Sequence, residues 1–177
     1  EFILDKSEIE SGKGFGEAYS GRISYTSYNK NTALITNFLS YLRIGTNTFR
    51  HSYGYNNFVL RGQSLGYNLG SDCEEIKIGF NFFNRKNLII KLEGGIRNLG
   101  ENSLVFKPYE RYENYLSGTF PSGNILNTKF SKLDIDYFWK SNVLLTSTIN
   151  IEKINNNKNI FSYIFGFDIY LPYNLIL

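Results

Sequence analysis

The chain has 177 residues, a net charge of +3, and apolar content built from 14 Tyr and 15 Phe, with no Met and with Ala only at Ala18 and Ala33. So little Ala makes poor helix material, whereas aromatic and β-branched residues suit pleated strands, and no apolar run reaches the roughly 20 residues that a membrane-crossing helix needs. A helical membrane protein is excluded. The dispersed charge leaves no electrostatic footprint for nucleic acid, and a single cysteine, Cys73, allows neither an internal disulfide nor a Cys-rich metal centre.

In chain order, strands are expected near residues 1 to 10, 16 to 27, 33 to 45, 74 to 84, 87 to 98, 128 to 139, 143 to 154 and 160 to 171. Alternation carries these assignments. Ile76, Ile78, Phe80 and Phe82 alternate with Glu75, Lys77, Gly79 and Asn81, and Leu88, Ile90, Leu92 and Ile96 oppose Ile89, Lys91, Glu93 and Arg97. Leu133, Ile135 and Tyr137 oppose Asp134, Asp136 and Phe138; Val143, Leu145, Ser147, Ile149 and Ile151 oppose Leu144, Thr146, Thr148, Asn150 and Glu152. The clearest pattern is Phe161, Tyr163, Phe165, Phe167, Ile169 and Leu171 against Ser162, Ile164, Gly166, Asp168 and Tyr170. Such a period of two fits a strand with lipid on one side and a polar lumen on the other, and equally a sandwich strand facing a soluble core.

Length and loop order favour the membrane. Most expected strands match the 9 to 11 residues or so of a bilayer-spanning β-strand, against about 5 or 6 for soluble ones. Short polar turns at Tyr28 to Asn31, Asn84 to Lys86 and Lys140 to Asn142 fall on one side, and long loops over 46–72 and 99–127 on the other. Outer-membrane barrels have short periplasmic turns and long extracellular loops. The outer connections Gly12 to Gly16 and Asn155 to Asn159 are short, so the rule is obeyed in part. Tyr25, Tyr28, Tyr137, Phe138, Trp139, Tyr170 and Tyr173 near strand ends are candidates for aromatic girdles, and Pro172 should end strand pairing. The expected fold is all-β, an antiparallel transmembrane β-barrel of about eight strands occupying residues 1 to 177.

The segment from Tyr41 to Glu75 has a distinct pattern: Phe49-Arg50-His51, then Tyr55-Asn56-Asn57, then Gly62-Gln63-Ser64-Leu65-Gly66-Tyr67-Asn68-Leu69-Gly70, then Asp72 and Glu75. It resembles the Wzi family of capsule assembly proteins, in which an aromatic-x-His segment, an Asn- and Tyr-rich stretch, a Gly-x-x-Leu-Gly-x-x-Leu-Gly element and an acidic residue precede a strand. Gln63-Ser64 and Asn68 depart from that pattern, where Pro is more usual. The resemblance is specific over about this segment and continues only as hairpin grammar to the C-terminus. It implies that this chain is the C-terminal portion of a larger outer-membrane barrel. The implied role is non-catalytic assembly and attachment of capsular or extracellular polysaccharide at the bacterial surface, in contact with outer-membrane lipid.

The residues of this loop support two uses. Gly62, Gly66 and Gly70 recur every fourth position and permit tight turns and positive φ, leaving Leu65 and Leu69 as apolar anchors for a loop folded back into the barrel mouth. Alternatively Arg50, His51, Tyr53, Tyr55, Asn57, Arg61 and Gln63 offer donors and aromatic faces to a sugar chain, the cations favouring acidic sugars. His51 is the sole histidine, which leaves no recognisable metal set or Ser-His-Asp arrangement, so no cofactor, metal or catalytic group is expected. Asp72, Glu74 and Glu75 read as solvated charge, Gly12 to Gly16 as a hairpin tip, and Lys107 to Tyr115 as a contact surface or a lumen plug. A small outer-membrane enzyme acting on lipids or glycans and a soluble β-sandwich carbohydrate-binding module are the alternatives. The first needs a nucleophile and base together in the mouth, and the second needs buried inward faces and no apolar outer belt.

Overall fold

The computed structural model describes residues 2–4, 16–29, 33–111 and 119–170. It is all-β apart from one 3-10 turn at Gly54–Asn56. The strands are β1 (Phe2–Leu4), β2 (Glu17–Asn29), β3 (Ala33–Ile44), β4 (Val59–Leu60), β5 (Gln63–Ser64), β6 (Cys73–Phe83), β7 (Leu88–Leu99), β8 (Leu126–Lys140), β9 (Val143–Ile154) and β10 (Lys158–Ile169). All but β4 and β5 form one antiparallel sheet in the order β1-β2-β3-β6-β7-β8-β9-β10, and β4 and β5 make a separate two-residue hairpin within the first long loop. Among the described residues the edges β1 and β10 do not pair, so the sheet is open. The expected strand at 1 to 10 lies mostly outside the described residues, as do Gly12 to Phe15 of the expected tip, Leu171, Pro172, Tyr173 and part of Lys107 to Tyr115.

Side-chain chemistry builds the hairpins. Asn84 Oδ1 accepts from the backbone N–H groups of Lys86, Asn87 and Leu88 at 3.0, 2.9 and 2.9 Å, closing the β6–β7 turn with its own side chain. Asn155 and Asn156 turn the chain between β9 and β10 with φ of 47° and 59°, a left-handed region that Asn tolerates better than most residues. Arg61 and Gly62, with φ of 53° and 78°, are the two central residues of the β4–β5 turn, as a type I′ hairpin requires.

The register separates two chemistries. On one face, here called inner, Glu75 meets Arg97 at 3.0 Å, Lys77 reaches Glu93 at 3.3 Å, Lys91 reaches Asp136 at 3.7 Å and Lys132 meets Asp134 at 2.9 Å. Thr148 donates to Asp134 at 2.7 Å, and Arg22 stacks on Phe38, whose ring occupies the space a side chain at Gly79 would need. The outer face is mainly apolar across the seven long strands. Its cross-strand rows run Leu39–Ile78–Gly94–Ser131–Ile151–Phe161, Asn37–Phe80–Leu92–Leu133–Ile149–Tyr163 and Ile35–Phe82–Ile90–Ile135–Ser147–Phe165. Nothing among the described residues covers this face: Ile23, Ile78, Phe161 and Phe165 are 79, 66, 67 and 62% exposed.

The apolar belt has a stepped boundary. At the long-loop end of β3, β6 and β7 it stops at Arg43, Glu74 and Asn98; Asn98 donates to Glu74 at 3.0 Å and Asn127 donates to Asn98 at 2.6 Å. On β8, β9 and β10 the polar edge lies one outward residue lower, at Lys129, Lys153 and Asn159. The opposite boundary drifts the same way, from Tyr25 on β2 to Val143 on β9 and Ile169 on β10. The belt is therefore oblique to the hydrogen-bonded rows, which run perpendicular to the strands.

The girdle candidates divide. Tyr25, Tyr137 and Trp139 are exposed, Trp139 sitting at the irregularity where β8 slips against β9. By register, Tyr28 and Phe138 belong to the inner face, where Arg85 lies 4.1 Å above the Tyr28 ring, so these two are not on the apolar belt.

Candidate functional site

The loop over 45–72 and the described parts of the second loop, 100–111 and 119–125, fold together at one end of the sheet and close over its inner face. Leu69, 9% exposed, packs with Ala18, Ile44, Cys73 and Leu99, and Phe49 and Tyr67 lie against the same cluster. Gly66 has no side chain because the Phe49 ring already fills the space a Cβ would take. Leu65 is 51% exposed and anchors nothing, a correction to the expected pair of leucine anchors. One leucine of the repeated Gly-x-x-Leu element meets the sheet, and the other follows the outward-projecting β4–β5 hairpin.

Two polar knots fix the loops. Asp72 is fully buried, with φ of 59°. Its carboxylate accepts from Thr46 Oγ1 at 2.8 Å, Ser122 N at 3.0 Å, Asn102 N at 3.2 Å and the Ser122 hydroxyl, joining three distant segments. Arg50, 6% exposed, donates from Nε to Thr46 O at 3.2 Å and from its terminal nitrogens to Lys107 O at 3.1 Å, Glu110 O at 2.8 Å and Asn102 O. Burial lowers the Arg50 guanidinium pKa to about 10, with Glu110 and Asp72 opposing the fall. Asn57 repeats the device, donating to Pro108 O at 2.9 Å and Glu110 O at 2.8 Å while accepting from His51 N at 2.7 Å.

The expected acidic cluster of Asp72, Glu74 and Glu75 is therefore not solvated charge. Asp72 ties the loops, Glu74 lies on the outer face, and Glu75 is 5% exposed on the inner one. Alternation along β6 sends Glu74 and Glu75 to opposite faces, and loop packing removes Asp72 from water.

The seven residues considered for glycan contact do not form one surface. Arg50 and Asn57 are buried and their donors point at carbonyls of the second loop; His51, Tyr53, Tyr55, Arg61 and Gln63 are exposed. Exposed rings here lie in two pairs, together called the ledge: His51 stacks on Tyr53 with centroids 5.9 Å apart, and Tyr55, 89% exposed, lies 6.0 Å from Tyr109 of the second loop. His51 Nδ1 accepts from Tyr53 N at 3.1 Å, so this imidazole is engaged in its own turn. No group of three or more His, Cys, Asp or Glu suited to a metal ion occurs among the described residues.

Beneath the loops is a cavity of about 670 Å³, with Phe49, Gly66 and Tyr67 lining one side and Arg22, Ser40, Glu75 and Lys77 of the inner face the other. Tyr67 donates to Glu75 at 3.4 Å, and burial, followed by the Glu75 charge, raises its phenol pKa to about 12. Sequence reasoning did not assemble this cavity. Alternation did place Glu75 and Lys77 on one face, but the approach of Phe49 and Tyr67 depends on loop packing that no local pattern encodes. Compared with protein-family models, curated proteins and solved structures, the chain matches none.

Proposed function

We propose that this chain is a portion of a Wzi-like transmembrane β-barrel in a bacterial outer membrane, and that it holds capsular or extracellular polysaccharide at the cell surface without catalysing a reaction. The observation that carries the membrane assignment is the stepped apolar belt, uncovered on its outer side and backed by charge on its inner side. Along β9 it runs from Val143 to Ile151, a path of about 27 Å that projects to about 21 Å at the usual tilt, near the roughly 25 Å band of such barrels. A soluble sandwich would need a second layer over that face.

The glycan role rests on the resemblance of the Tyr41 to Glu75 segment and on the exposed ledge formed by His51, Tyr53, Tyr55 and Tyr109. Flat rings with one polar edge suit the apolar face and hydroxyl rim of a sugar. The knots at Asp72, Arg50 and Asn57 hold that ledge in place. The test is deletion of the gene in a capsulated host: capsule should be shed into the medium, and the wild-type copy should restore its retention. Tyr55→Ala with Tyr109→Ala should restore less retention than the wild type while the protein still reaches the outer membrane. Capsule that stays cell-bound after deletion defeats the attachment role.

A further inference from the structure

The outer face carries a pair of cations that the belt alone does not explain. Lys129 on β8 and Lys153 on β9 are directly opposed in the register, both exposed, and no carboxylate pairs with either among the described residues. Like charges placed directly across a strand pair are destabilising, so the arrangement favours an anion bound between them. The two lysines sit on the polar edge at the long-loop end, with Ile96 and Asn159 as their neighbours in the row, and the carboxylate of Glu74 is two strands from Lys129.

Immediately below them in the belt the surface is notched. Gly94 pairs with Ser131, and this small-residue row between Ile78 and Ile151 opens into a mainly apolar groove of about 580 Å³ that continues past Leu92 and Leu39 toward β2. Cations above an apolar channel on one surface match a phosphate headgroup above an acyl chain. We propose that Lys129, Lys153 and the Gly94–Ser131 notch form a binding site for a phosphorylated lipid of the leaflet nearest the long loops. The proposal rests on the membrane reading above, and it specifies a lipid partner and its position.

The experiment titrates the full chain in non-ionic detergent with lipid A, with dephosphorylated lipid A, and with inorganic phosphate, measuring bound ligand directly. Lipid A should bind at least tenfold more tightly than its dephosphorylated form. K129Q/K153Q should remove that preference, and K129R/K153R should retain it, which separates charge from folding. S131W fills the notch and should weaken lipid A binding several-fold. Equal binding of both lipids, or an undiminished preference in K129Q/K153Q, overturns the proposal while leaving the membrane assignment intact. Inorganic phosphate that competes at the same affinity overturns the lipid as occupant. A chain that is monomeric and soluble without detergent defeats the membrane reading itself.

Discussion

The two faces of the same sheet are stabilised by opposite means. On the inner face, charges neutralise one another along and across strands, as in the chain of Lys77, Glu75 and Arg97, and each member depends on its neighbours. On the outer face the side chains are individually exposed, and their free energy is set by the medium that meets them. A substitution on the inner face should therefore act through a lost partner, and one on the outer face through transfer into a different solvent.

The largest effects are expected at Glu75 on the inner face and Leu92 on the outer. Glu75→Ala leaves Arg97 and Lys77 without their shared carboxylate in a half-buried setting, at a cost of about 3 kcal/mol, read as a lower urea midpoint in detergent. If Glu75→Ala were neutral, the inner face would be as independent of its partners as the outer. Next, Leu92→Arg near the middle of the belt should cost about 2–4 kcal/mol in a bilayer, whereas Ser162→Arg on the inner face should change stability by about 0.5 kcal/mol or less. Equal costs for the two would remove the distinction between faces.

Smaller still is the effect at the loop roof. Because the folded pKa of Tyr67 lies above the ordinary value of 10, its contribution to stability is complete below about pH 10 and is lost as pH rises through about 12. A phenolate absorbance titration of wild type against Tyr67→Phe should show the missing group ionising near pH 12. A difference spectrum centred near pH 10 would mean that the roof does not close over Glu75.

Much of this two-faced sheet was legible in the sequence, because strands of 11 to 15 residues give a period-two pattern many chances to declare itself. Bounds expected at 74 to 84 and 87 to 98 differ by one residue from Cys73–Phe83 and Leu88–Leu99, and β9 falls where expected. The loop end was legible only as a place. Arg50 and Asn57 look like surface donors in isolation, and what buries them is carbonyl groups more than 50 residues away at Lys107, Pro108 and Glu110. Leu65 and Leu69 occupy equivalent positions in a repeated element, yet the β4–β5 turn sends one to solvent and the other to the sheet. Local pattern carries the register; long-range packing decides which polar groups remain available for a ligand.

The most direct test of the proposal that this sheet faces a membrane uses two adjacent residues of β10. In a Trp139→Phe background, a single tryptophan is placed at Tyr163, on the outer face, or at Ser162, on the inner face, and the full chain is reconstituted into vesicles containing lipids brominated along their acyl chains. The alternation predicts strong quenching of tryptophan at 163 and little at 162. Equal quenching at the two positions, or none at either, would contradict a sheet with lipid on one face and a polar interior on the other.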